Sequence, residues 1–84
     1  MLKVTGRVQG VFYRATTNEI ANKLGLKGYV KNMDDGSIFI EAEGKEEQLR
    51  KLIEWCKRGP PNAAVASVNI QEGIIKEFSD FKIQ

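Results

Sequence analysis

Along this chain, apolar positions first alternate with polar ones, then recur every three or four residues, then alternate again. The switches mark out its elements. Leu2 and Val4 alternate with Lys3 and Thr5, a short first strand. From Phe12 to Leu24 the spacing becomes helical: Tyr13, Thr17, Ile20, Ala21 and Leu24 form the core-facing stripe, and Thr16 borders it half-exposed. Asn18, Glu19, Asn22 and Lys23 take the solvent side, and Gly25 is suited to end the helix. Lys27 to Met33 returns to alternation, with Gly28, Val30 and Asn32 on one face and Tyr29, Lys31 and Met33 on the other. Asp34-Asp35-Gly36 reads as a hairpin turn, and Ser37 to Glu43 as the third strand, Ile38, Ile40 and Ala42 alternating with Phe39 and Glu41.

Gly44 breaks that strand, and Lys45 to Lys57 is the clearest helix, burying Leu49, Leu52, Ile53 and Cys56 with Trp55 at the border. Glu46 and Arg50, and Glu47 and Lys51, stand at supportive spacing along it. Gly59-Pro60-Pro61 forces a stop. Ala64 to Gln71 is a fourth strand, Ala66, Val68 and Ile70 alternating against Ser67 and Asn69; Gly73 opens a loop, and Phe78, Phe81 and Ile83 form a short closing segment suited to an edge strand. The order β-α-β-β-α-β predicts an α+β, ferredoxin-like sandwich, in which two right-handed crossovers put both helices on one face of an antiparallel sheet. That plan hosts many functions and decides none.

Composition narrows the chemistry. Eighty-four residues fit a single domain over 1–84, one sheet with one helix layer. The net charge of +2, with both signs interspersed, argues for neither nucleic acid nor a membrane surface, yet does not repel a small anion. There is no histidine, which excludes a histidine base, a histidine-containing triad and histidine metal ligands. Cys56 stands alone, so neither a disulfide nor a cysteine zinc site is expected. Asp34 and Asp35 are better explained by the turn than as metal ligands. No metal and no cofactor are expected. No apolar run approaches the roughly 20 residues of a membrane span, and Met1-Leu2-Lys3-Val4 lacks the apolar core of a signal peptide, so the expected setting is cytoplasmic.

The stretch that carries chemistry is Gly6-Arg7-Val8-Gln9-Gly10-Val11-Phe12-Tyr13-Arg14. A loop bracketed by glycines that runs into a helix start offers unpaired main-chain N–H groups and the positive end of the helix dipole, a ready anion site. Arg14 follows, with a guanidinium able to fork onto two phosphate oxygens. On spacing alone a plain strand–turn–helix connection with a surface arginine is an equal reading. Arg7 could add positive potential at the mouth or simply be a solvated strand-end residue.

These residues also resemble a family. Gly-x-Val-Gln-Gly-Val-x-(Phe or Tyr)-Arg is the signature of the acylphosphatases, matched in full by residues 6–14, and a second segment of that family is matched by Gly28-Tyr29-Val30-Lys31-Asn32-Met33-Asp34-Asp35-Gly36. The resemblance runs over nearly the whole chain, with smaller echoes at Thr17 with Ala21, Leu24-Gly25-Leu26, Gly59-Pro60-Pro61 and Phe78-Ser79-Asp80-Phe81. The family usually carries a few more residues before the first strand, and relatives with glycine at the Phe12 position leave the effect of that ring on acyl preference open.

The resemblance implies the same ferredoxin-like fold and hydrolysis of an acyl phosphate, a small-molecule substrate, to a carboxylate and inorganic phosphate. It implies Arg14 and Asn32 as the catalytic pair and the loop Gln9, Gly10, Val11, Phe12, Tyr13 and Arg14 as the substrate-binding segment. Gln9 and Tyr13 could equally support the loop without touching substrate. Two other readings compete: a module that holds an anion without turning it over, and an RNA binder on the same fold. The first strand offers no aromatic, and Tyr29 and Phe39 alone make no base-stacking platform. That the chain stops after one domain and keeps both Arg14 and Asn32 favours a free-standing, monomeric hydrolase.

Overall fold

Residues 1–84 are described by a computed structural model. Three strands carry the alternation into the sheet centre: β1 (Leu2–Arg7), β2 (Lys27–Asn32) and β3 (Ile38–Glu43). Leu2, Val4, Val30, Ile38 and Ile40 are buried, and they meet Tyr13 and Ala21 of α1 (Tyr13–Lys23) and Leu52 and Cys56 of α2 (Glu46–Arg58) in one core. Two further strands, β4 (Ala64–Ile70) and β5 (Phe81–Ile83), complete a sheet of order β4-β1-β3-β2-β5. The β4-β1-β3-β2 part is antiparallel between neighbours, as the ferredoxin-like plan requires. The closing segment pairs parallel with β2, so the whole sheet is mixed rather than purely antiparallel.

That pairing positions the site. Each of β1 and β2 runs antiparallel to β3 between them, and β5 runs parallel to β2. The three strands therefore point the same way, and Val8, Asn32 and Gln84 emerge at one end of the sheet. In register, Ile38 faces Val4 on one side and Asn32 on the other.

Local details differ from the sequence pattern where distant partners intervene. The β1–β4 register shifts between Thr5 and Gly6, leaving Ala66 as a bulge: it is exposed, while Val65 and Val68 pack on the core. Gly6 makes the bulge possible, because with φ 117 any Cβ there would lie 2.2 Å from the Ala64 carbonyl oxygen. Helix α1 starts at Tyr13 instead of Phe12 and ends in a Schellman arrangement, Leu26 N–H donating to Ala21 and Gly25 N–H to Asn22. On α2 the Glu46–Arg50 pair forms at 2.9 Å, whereas Glu47 and Lys51 stay apart in solvent. Such exposed pairs contribute little in either case.

Candidate active site

Beyond β1 the chain turns through Val8–Phe12 before α1 begins. Gly10 has φ 75 and Phe12 has φ 65, with Val11 between them outside the positive-φ region. Alternating backbone handedness of this kind curls successive N–H groups toward a common point. None of the main-chain N–H groups from Gln9 to Arg14 donates to a protein acceptor; the first helical bond is Thr16 N–H to the Phe12 carbonyl. Glycine suits the first left-handed position, but phenylalanine at the second costs about 1–2 kcal/mol. The residue is 78% exposed, so burial offsets little of that cost.

The loop is tied down from both sides. The Gln9 side-chain amide donates to the carbonyls of Met33 at 2.8 Å and Ser37 at 2.9 Å, fastening the loop to the β2–β3 hairpin. Tyr13 is buried, packs at a tilt against Trp55 with centroids 5.1 Å apart, and donates its hydroxyl to the Cys56 carbonyl at 2.8 Å. Burial raises the Tyr13 phenol far above its ordinary pKa, with Cys56 adding to the shift, so it stays a neutral donor. Burial likewise pushes the Cys56 thiol up to about 12, which makes it a packing group and not a nucleophile.

The hairpin is rigid in turn. The Asp35 carboxylate accepts the Ser37 hydroxyl and main-chain N–H and pairs with Lys3 at 3.0 Å. Those bonds, the Ser37 hydroxyl's first, hold it below the usual carboxylate range. Asp35 thus serves the turn, and no group of three or more His, Cys, Asp or Glu side chains is gathered anywhere for a metal ion.

Between these supports lies a cleft of about 280 Å³ lined by Val8, Gly10, Phe12, Tyr13, Arg14, Ala15, Asn32 and Ile83. No acidic side chain lines it. Arg14, half-buried in the first turn of α1, donates to the main-chain oxygen of Gln84 at 3.3 Å and pairs with no acidic side chain. The Asn32 side chain is exposed at the end of β2, and its amide makes no hydrogen bond within the protein. The cleft therefore combines a fixed positive field with a free donor–acceptor amide.

The residues singled out from the sequence divide accordingly. Gly10, Phe12, Tyr13, Arg14 and Asn32 line the cleft, whereas Gln9 and Val11 do not, and the Gln9 side chain is directed at the hairpin. Arg7 ends β1 opposite Ala64, outside the cleft. Val8, a motif residue not named for binding, also lines the cleft, and Ala15 and Ile83 join it without a sequence signal, Ile83 arriving through the β2–β5 pairing alone.

Replacing Gln9 by alanine tests its tie. The Met33 carbonyl also accepts from Gly36, and the Ser37 carbonyl from Met33, so neither is orphaned. Stability should fall by about 1–2 kcal/mol in denaturant unfolding, for two hydrogen bonds near the usual net value. Unchanged stability with weakened phosphate binding would instead assign Gln9 to the ligand.

On the opposite face of the sheet, Tyr29 packs against Phe39 at 6.1 Å and edge-on to Phe78 at 5.7 Å, with the Lys31 ammonium over both strand rings. The Tyr29 hydroxyl donates to Glu41, which also pairs with Lys76. The aromatics that a base-stacking surface would need are thus engaged with the chain itself.

A family model for acylphosphatases matches residues 1–83. An acylphosphatase of Thermotoga petrophila is 47% identical over 83 residues, spanning 99% of this chain and 92% of the relative. One of Marinobacter nauticus is 50% identical over 82 residues, spanning 96% and 89%. Among solved structures, an acylphosphatase from Coxiella burnetii superimposes with a TM-score of 0.95 at 40% identity, covering 99% of this chain and 87% of that one.

Proposed function

The chain belongs to the acylphosphatase family, and from that premise we propose that it hydrolyses acyl phosphates to a carboxylate and inorganic phosphate. In this reading the N–H groups of Gln9–Arg14 and the Arg14 guanidinium hold the phosphoryl group, and Asn32 orients the attacking water. The observation that carries it is the meeting, in one cleft lined by no acidic side chain, of the unpaired main-chain donors of Gly10, Phe12, Tyr13 and Arg14, a cation with no acidic side-chain partner and an amide without a protein hydrogen bond.

The chemistry suits this inventory. Water oxygen bonds to phosphorus in line as the phosphorus–oxygen bond to the acyl group breaks, and the electron pair leaves on the carboxylate. A carboxylate is a good leaving group and needs no general acid. The transition state is loose, so positioning and charge neutralisation supply most of the acceleration. Donors fixed on the equatorial oxygens need no reorganisation as charge redistributes. With no histidine in the chain, the water's proton passes to a phosphate oxygen of the substrate.

Incubation with acetyl phosphate, following its loss and the release of phosphate, tests the reading. Phosphate binding without turnover would reduce the cleft to an anion-holding module. The same assay in excess chelator, after verified metal removal, should give an unchanged rate, because the chain has no histidine and only one cysteine. A rate lost under chelation and restored by added metal would overturn the mechanism.

A further inference from the structure

The cleft has two chemically different kinds of lining. Arg14, Asn32 and the loop N–H groups account for one. The exposed apolar side chains in the rest of the lining are those of Phe12, Ala15 and Ile83. An acyl phosphate held by its phosphoryl group would extend its acyl part along those side chains.

Phe12 is the unexpected member. It sits in the left-handed region at φ 65 and ψ 18, where glycine or asparagine would be unstrained, and the residue stays 78% exposed. A buried ring could justify the strain through packing in the free protein; this ring cannot. Strained positions of this kind persist where the surroundings hold them and function uses them. A ring beside the reacting group gains contact when a ligand covers it, and a flat apolar ligand gains most.

We infer that Phe12 is a specificity-determining residue: its ring is the wall against which the acyl group packs, selecting aromatic and branched apolar acyl phosphates over small or charged ones. This rests on the acyl phosphate reading of the same cleft. The discriminating quantity is the ratio of kcat/KM for benzoyl phosphate to that for acetyl phosphate, since any loss common to both substrates cancels. Phe12→Asn and Phe12→Gly both accept the left-handed backbone and remove the ring, and each should lower the ratio about tenfold. Phe12→Tyr keeps the ring and should keep the ratio. Because asparagine restrains the loop more than glycine does, agreement between those two variants separates loss of the ring from loosening of the loop. If wild type hydrolyses both substrates and the ratio is the same in all variants, Phe12 does not select the acyl group and the hydrolase reading stands. If wild type hydrolyses neither substrate, the hydrolase reading falls and the inference falls with it.

Discussion

Arg14→Gln should weaken inorganic phosphate as a competitive inhibitor by on the order of 10²-fold or more and bring turnover close to zero, since two charge-assisted hydrogen bonds at about 1.5–3 kcal/mol each are lost. Arg14 lines the cleft, pairs with no acidic side chain and spends one hydrogen bond on a main-chain oxygen of Gln84, the last residue, so its remaining donors are available to a ligand. Glutamine keeps a donor and part of the reach but loses the charge and the fork that fits two phosphate oxygens. The loop N–H groups remain, so weak residual binding is expected. Stability should move the other way. Arg14 lies in the first turn of α1, which holds no acidic residue, and a cation there opposes the helix dipole. Its removal should leave unfolding unchanged or slightly harder. A surface arginine without a role would show the same stability with phosphate inhibition and turnover both intact, so measuring all three on one variant decides the matter.

How much of this was legible beforehand depends on how far apart the deciding residues are. The loop, its glycines and Arg14 lie within nine consecutive residues, and helix α2 announces itself through Leu49, Leu52, Ile53 and Cys56 at helical spacing. The hairpin is local as well: Asp35 bonds Ser37, two residues on. The bulge at Ala66 was not legible, because it exists only in the pairing of β4 with Gly6 far away in the chain. For the same reason the parallel β5 could be foreseen as a short edge segment but not given a partner, and Ile83 could not be assigned to the cleft. Phe12 reads as a helical residue by pattern, yet it takes the left-handed conformation that ends the loop, because the turn into α1 outweighs one residue's preference. Gln9 belongs to the motif, but only the structure reveals that its amide is spent on hairpin carbonyls.

Asn32→Ala should lower kcat by at least ~10²-fold, the scale of losing one positioned transition-state contact. The amide stands at the end of β2, in the same cleft as Arg14, with no protein group competing for its donor or acceptor. No histidine or acidic side chain lines that cleft to orient water in its place. Inorganic phosphate should inhibit nearly as well as before, because the proposed phosphoryl contacts come from the loop and Arg14. The fold should persist, since Asn32 joins the β2–β3 ladder opposite Ile38 through its backbone and its exposed side chain packs in no core. The two substitutions therefore carry different signatures: loss at Arg14 appears in both phosphate inhibition and rate, loss at Asn32 in rate alone. If Asn32→Ala stays within about tenfold of the wild-type rate, water orientation by this residue is excluded. If phosphate inhibition weakens in step with the rate, Asn32 holds the phosphoryl group, and the attacking water must be ordered by the substrate's own oxygens and the loop donors.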